Sequence, residues 1–323
     1  MKYDDATREN ILNFLQAGIS SRSIAEILGI SKSGVNDFIA GLKKKATQVH
    51  TFGEITQPVK KKKIKPRKLK VLFFDLENAP SVVVAFQRFN VNLSPDHILE
   101  EGGWLLSAAW SWGHSNAVHG AVLTPAEALA RDDSRIVAEL YEQIEQADIV
   151  VAHHGDNFDV PLFKTRCLKN GFNPPKILKT VDTVKMARRL KFNSNKLDSI
   201  GNYLEAGRKV KHSGISLWVD CMNAVPSALK NMLTYNKQDV RLLKEVYYDM
   251  LPFDNRHPNV GQFYDDGEVH CPSCGGTDLS ITGNVVSTNV SQYTELVCGD
   301  CGHRSRTRKA INSKEHRKLQ LSS

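Results

Sequence analysis

Four of the six cysteines in this 323-residue chain stand in two tight pairs, Cys271-Pro-Ser-Cys274 and Cys298-Gly-Asp-Cys301. Thiolates spaced in this way reach a single ion from one turn, and a second pair supplies the other two corners of a tetrahedron. Glycine follows each pair, at Gly275, Gly276 and Gly302. With 23 residues between the pairs, the spacing predicts a Zn²⁺ site held by Cys271, Cys274, Cys298 and Cys301 in a small β zinc ribbon. Its strands are expected around Ile281-Thr-Gly and Tyr293-Thr-Glu-Leu-Val297. The zinc would be structural, because four protein ligands leave no position for water. Cys167 and Cys221 stand alone and are expected as buried core thiols.

Charge is distributed unevenly. The net charge is +8, but residues 1–70 carry +9, residues 302–323 carry +6 and the stretch between them carries −7. An acidic centre between basic ends suits a metal-binding core brought to a polyanion by its arms, although solvated tails around an ordinary core would give the same sum. Hydrophobic residues make up 41% and charged residues 24%, which excludes collagen-like and disordered classes. No apolar run nears the roughly 18 residues of a membrane helix, and the first twenty lack a secretion-signal core. The expected location is the cytosol of a bacterium or a phage-infected host, with no membrane partner.

Residues 1–45 read as three short helices. Ile11, Leu12 and Leu15 form a stripe, Ser21-Arg-Ser-Ile-Ala-Glu-Ile-Leu a second helix, and Lys32 to Leu42 a third. Ile24, Leu28, Ile30, Val35 and Phe38 supply a core, and Gly29 suits the left-handed turn between the second and third helices. The pattern resembles the helix-turn-helix of resolvases and small bacterial or phage regulators. That resemblance implies DNA contact by Lys32, Ser33 and Asn36, with Asp37 on the same exposed face. A trihelical packing module without DNA contact is the alternative. Residues 46–70 lose periodicity and end in the run Lys60 to Lys70, a basic linker by composition.

From residue 71 the pattern turns to β and then alternates with helices. Val71-Leu-Phe-Phe74, Ser81-Val-Val-Val-Ala-Phe, Trp104 to Trp110 and Ile149-Val-Val-Ala152 read as strands. Asp132 to Gln146 and the regions near 160–170, 195–205 and 226–250 read as helices. Strands first and then strand–helix alternation predict an α/β domain with a mixed sheet and flanking helices over residues 71–254. The ribbon and its basic tail would occupy 255–323.

Three segments of this domain carry chemistry. Asp75 and Glu77 are two apart on a strand, so their carboxylates share a face. His153-His-Gly-Asp-Asn-Phe158-Asp159 follows a buried strand and places Asp159 at the start of a helix, where it could also serve only as a cap. Tyr235-Asn-Lys-Gln-Asp239 puts a phenol and a carboxylate on one helical face. In combination and in this order, these segments resemble the tyrosine-type DEDD 3′–5′ exonucleases of the ribonuclease H-like superfamily, near the proofreading domain of family B DNA polymerases. Val181-Asp182-Thr183 and Asn195-Lys-Leu-Asp-Ser-Ile-Gly-Asn-Tyr-Leu204 also look like segments of that group. His154 departs from it, standing where the family usually has Asn, and Asp156 and Asp182 are further nearby carboxylates without an assigned role.

The resemblance implies a ribonuclease H-like fold and two catalytic Mg²⁺ or Mn²⁺ ions held by Asp75, Glu77, Asp159 and Asp239. Tyr235 would orient the attacking water. Hard cations prefer such oxygen donors, and two of them can serve both the attacking and the leaving oxygen. The expected activity is 3′–5′ hydrolysis of DNA in phage or mobile-element replication, repair or processing. A separate DNA polymerase or replication protein is the expected partner. Arg304, Arg306 and Arg308 alternate with Ser and Thr, so an extended strand would turn all three toward nucleic-acid backbone, with protein docking as the alternative. Two other functions use the same parts: a transposase or recombinase, which Asp75-x-Glu77 disfavours, and a DNA-binding regulator with an inactive nuclease fold.

Overall fold

The protein is described by a computed structural model, in residues 3–16, 20–48, 69–87, 89–176, 179–208 and 213–321. It divides into two compact units, Met1–Lys63 and Ile64–Ser323. In the first, α1 (Asp5–Gln16), α2 (Ser21–Leu28) and α3 (Lys32–Gln48) enclose Ile11, Ile24, Ala25 and Val35. The Ser20 side chain caps α2 by accepting from the Ser23 N–H at 3.3 Å. Gly29 takes φ 63° and turns the chain into α3, as expected of a residue without a Cβ. The third helix runs past Leu42 to Gln48. The remainder of the expected basic linker, 49–68, lies outside the described residues.

The second unit begins with β1 (Val71–Asn78), β2 (Val82–Val83), β3 (Ile98–Glu100), β4 (Leu105–Trp112) and β5 (His119–Val122). Next come α4 (Pro125–Ala130), α5 (Ser134–Gln146), β6 (Ile149–Ala152), α6 (Asp159–Lys169), β7 (Thr180–Asp182), α7 (Thr183–Leu190), α8 (Leu197–Tyr203), α9 (Ile215–Met222) and the long α10 (Pro226–Met250). The main sheet is mixed, in the order β5-β4-β1-β6-β7. β1 is antiparallel to β4 and parallel to β6, and β7 continues the parallel half.

The alternation of β1 decides what the sheet can hold. Leu72, Phe74 and Leu76 pack in a cluster that includes Ile136, Leu140 and Ile144 of α5 and Phe163 of α6. Phe73 belongs to a second cluster with Val240, Leu243, Val246 and Tyr247 of α10. Asp75 and Glu77 continue the Phe73 side, so the strand's polar positions turn toward α10. Across the sheet, Asp133 is buried and accepts from Leu105 N–H at 2.8 Å, from Arg166 at 2.7 and 2.9 Å, and from Asn170 at 2.9 Å. This network ties the start of α5 to α6 and to β4.

The stretch Ser81–Phe86, expected as a strand beside the others, does not enter the main sheet. Only Val82–Val83 is extended, and it pairs with β3 as a separate two-stranded arm. Phe86 and Phe89 beyond it are 94% and 82% exposed. An apolar run marks a buried strand only where a neighbouring layer covers it.

The C-terminal sheet has three antiparallel strands, β8 (Leu279–Ser287), β9 (Gln292–Cys298) and β10 (Arg304–Arg306), followed by α11 (Lys314–Lys318). It is joined to the end of α10 by polar contacts. Ser273 Oγ donates to Leu251 O at 3.2 Å, His303 Nδ1 lies 2.9 Å from Pro252 O, and Tyr247 Oη lies 2.9 Å from His257 Nε2. Burial pushes the Tyr247 hydroxyl up and the His257 imidazole down, so both stay neutral and the phenol donates to the ring. Among the described residues no helix is long and apolar enough to cross a membrane.

Candidate active site

α10 carries its buried residues at helical spacing: Ala228, Leu229, Met232, Tyr235, Asn236, Asp239, Val240, Leu242, Leu243, Val246, Tyr247 and Met250. Pro226 at its first turn suits a helix start, where the missing N–H costs nothing. In the middle of this apolar stripe stand a buried carboxylate and a buried carboxamide, Asp239 at 1% exposure and Asn236 at 0%. Polar groups in such a position require a polar counterpart, and for Asn236 β1 supplies it in Asp75. Ligand oxygens of Asp75, Glu77 and Asp239 all lie within 4.8 Å of one another. At that separation each carboxylate pair repels by about 3–4 kcal/mol at an effective dielectric near 20. An oxygen-only anionic set of this kind fits a hard divalent cation.

Asp159 does not fall within that three-residue set. Its Oδ1 accepts from the backbone N–H of Leu76, the residue between Asp75 and Glu77, at 3.1 Å. It sits in the first turn of α6, where the helix dipole favours a carboxylate. The residue at the N-cap position of α6 is Phe158, and Asp159 follows it as the first residue of the helix. Tyr235 is buried at 7% exposure and meets the Trp218 ring edge-on, with centroids 6.0 Å apart. Asn236, which the sequence motif passes over, donates to Asp75 Oδ2 at 2.6 Å.

The neighbouring polar residues have structural partners. Asp182 caps α7 by accepting from Val184 N–H at 2.9 Å, and the same oxygen accepts from His154 N–H at 3.0 Å. His154 itself takes φ 68°, a conformation costly for a residue with a Cβ, and that hydrogen bond helps to hold it. His153 has both ring nitrogens engaged, 2.9 Å from Thr183 Oγ1 and 2.9 Å from Asn195 O. Asp156 pairs with Lys185 at 2.6 Å. Cys167 and Cys221 are buried, and burial pushes each thiol up to about 12.

The four cysteines of the two pairs meet, with all ligand atoms within 4.8 Å of one another. Cys271 and Cys301 have sulfurs 3.7 Å apart, as do Cys274 and Cys298. The close neighbouring Cys274 sulfur holds the Cys271 thiol low, and Cys271 in turn raises that of Cys274. Four sulfurs this close cannot all ionise without a cation among them, and thiolates suit a soft one. Arg304 and Arg306 lie two apart on β10, but Arg308 falls beyond the strand, so the expected row of three on one extended face is reduced to two. Arg304 pairs with Glu295 at 2.8 Å, and Arg306 lies over the Tyr293 ring at 3.9 Å. In the first unit, Lys32, Ser33, Asn36 and Asp37 are all exposed at the start of α3.

Comparison with known proteins agrees with this architecture. A family model described as the RNase H superfamily matches residues 110–251, and one described as winged helix-turn-helix DNA-binding matches residues 4–45. The chain thus carries an RNase H-superfamily domain preceded by a helix-turn-helix. The first match starts within β4 and leaves out β1; the sheet register is what joins Asp75 and Glu77 to it. No curated protein matches the sequence. Among solved structures, the chain is similar to the family B DNA polymerase from the hyperthermophilic archaeon Pyrobaculum calidifontis, with 17% identity and a TM-score of 0.43. That match covers 59% of this chain and 26% of the polymerase, so it spans about a quarter of the longer protein. The RNase H-like domain and its acidic cluster support nuclease chemistry.

Proposed function

We propose that this protein is a metal-dependent 3′–5′ exonuclease that hydrolyses phosphodiester bonds of DNA. The observation that carries the proposal is the convergence of Asp75, Glu77 and Asp239 within 4.8 Å, with Tyr235 one turn before Asp239 on the same helix. When bound, two Mg²⁺ or Mn²⁺ ions would neutralise charge on the phosphate and lower the pKa of the attacking water.

The chain's own groups do the remainder. Asp75, Glu77 and Asp239 hold the cations, and Asp159 joins them as the fourth carboxylate, fixed in place through the Leu76 N–H. The Tyr235 hydroxyl orients the water toward phosphorus, opposite the departing 3′ oxygen. The water's oxygen forms the new bond to phosphorus, and its proton leaves through solvent to the released alkoxide. Cys271, Cys274, Cys298 and Cys301 hold a structural Zn²⁺ that stiffens the ribbon against the end of α10. Lys32, Ser33 and Asn36 on α3, with Arg304, Arg306 and Arg308 in the ribbon, contact the nucleic acid.

The biological setting that fits is phage or mobile-element DNA replication, repair or processing in a bacterial cytosol, beside a separate polymerase or replication protein. The test is digestion of a single-stranded oligonucleotide by the purified protein with Mg²⁺ or Mn²⁺. Loss of digestion with EDTA and in Asp75→Ala supports the proposal; digestion that survives Asp75→Ala refutes it.

A further inference from the structure

We infer that Asn236 is a positioning residue for Asp75: its carboxamide, itself fixed by Ser107, locks the orientation of the Asp75 carboxylate and so sets the affinity of the acidic cluster for a divalent cation. The inference rests on the metal-dependent reading of that cluster.

Asn236 is fully buried on α10, between Tyr235 and Asp239 in sequence. Its Nδ2 donates to Asp75 Oδ2 at 2.6 Å and lies 3.3 Å from the Asp75 backbone oxygen. Its Oδ1 accepts from Ser107 Oγ at 3.0 Å. Ser107 is also fully buried, on β4, directly across from Glu77 in the antiparallel register. The chain of bonds therefore runs from one sheet strand, through the helix, to the neighbouring strand: it is bonded to Asp75 and ends on the residue that faces Glu77 in the register.

The direction of the chain is chemically determined. Both Asp75 atoms that face the carboxamide are acceptors, so the NH₂ end must point at them, and the opposite end needs the donor that Ser107 supplies. A carboxylate with one oxygen in a charge-assisted bond cannot rotate freely about its Cβ–Cγ bond. Asn236 achieves this without adding charge. A Lys or Arg in its place would hold Asp75 equally well but would compete with the cation for the same oxygens. Partners that orient metal ligands in this way typically change metal affinity or activity by 10–100-fold when removed.

The test measures Mn²⁺ binding by calorimetry on the zinc-loaded full chain without nucleic acid, in the wild type, Asn236→Ala, Ser107→Ala, the double variant and Asp75→Ala. Asn236→Ala is expected to weaken the Asp75-dependent Mn²⁺ binding by roughly 10–100-fold. Ser107→Ala, a nearly isosteric change that should not endanger folding, is expected to act in the same direction by less. The double variant should bind no more weakly than Asn236→Ala alone, because Ser107 acts only through Asn236. Nuclease activity lost by Asn236→Ala at low Mn²⁺ should recover as Mn²⁺ is raised, with KM for DNA unchanged. Affinities of Asn236→Ala within about twofold of wild type, or losses that simply add in the double variant, would overturn the inference while leaving the nuclease proposal standing. Absence of any Mn²⁺ binding that Asp75→Ala removes would instead overturn the metal reading of the cluster, and this inference with it.

Discussion

The backbone N–H of Leu76 donates to Asp159 Oδ1 at 3.1 Å, so the central strand and the first turn of α6 are joined at the residue between Asp75 and Glu77. The bond gives Asp159 a structural duty beside the metal-holding one proposed for it, and the two can be separated. Asp159→Asn keeps an acceptor for Leu76 and should fold with a thermal midpoint near wild type. It removes the charge, so nuclease activity should fall by about 100-fold or more, an amount equal to losing roughly 3 kcal/mol of transition-state stabilisation. Asp159→Ala should lose the activity and also about 1–3 kcal/mol of stability, because the buried Leu76 N–H is left without a partner. Parallel melting curves and nuclease assays check both effects.

The ribbon's attachment to the end of α10 makes a second prediction. Elemental analysis should find about one zinc per chain, the number that a four-thiolate site holds. Cys271→Ser should lose that zinc, and metal-coupled folding energy is lost with it. Because Ser273 and His303 bond to the backbone at Leu251 and Pro252, the loss should spread beyond the ribbon. Faster hydrogen exchange across residues 247–254 in the variant is the expected result. Unchanged exchange there would mean that the ribbon is docked without being coupled.

The arginines of the ribbon should not contribute equally to nucleic-acid binding. Glu295 already neutralises Arg304, whereas Arg306 stacks on Tyr293 and keeps its charge. Arg306→Ala should weaken binding to DNA of any sequence and lower the slope of log K against log salt by about 1. Arg304→Ala should change that slope less. Binding titrations at several salt concentrations distinguish the two.

Acid stability should carry the signature of the Glu127–Arg135 pair. The Arg135 guanidinium, 2.8 Å from Glu127, holds that carboxyl down to about 2 in the folded chain against an ordinary 4.5. A carboxyl depressed on folding stabilises fully above its unfolded pKa and loses that contribution as pH falls through its folded one. The window is therefore pH 4.5 down to about 2. Melting curves of wild type and Glu127→Gln should differ most above pH 4.5 and converge as pH falls through that window.

Much of the site was legible because its residues obey simple periods. Asp75 and Glu77 share a strand face, Tyr235 and Asp239 a helix face, and the two cysteine pairs announce their own ligand set. Asn236 was not legible in the same way. It sits one residue after Tyr235, between the two residues that define the motif, and only the approach of α10 to β1 reveals its bond to Asp75. Ser107 was hidden for a similar reason, as one of two serines in the otherwise apolar β4. The Val82–Phe86 run misled because composition does not say whether a second layer covers a strand. The row of arginines was shortened because alternation continues past Arg306 in sequence while the strand stops there.

The central claim is tested most directly with an oligonucleotide labelled at its 5′ end, single-stranded, digested over time with Mg²⁺ or Mn²⁺ by wild type, Asp75→Ala and Tyr235→Phe. The account predicts a ladder shortening stepwise from the 3′ end with wild type and no ladder with Asp75→Ala or with EDTA. Tyr235→Phe, which keeps the carboxylates but loses the water-orienting hydroxyl, should give a ladder slowed by about 100-fold, the size expected of a misplaced reactant. A single internal cut, binding without cleavage, or a ladder that persists in Asp75→Ala would contradict it.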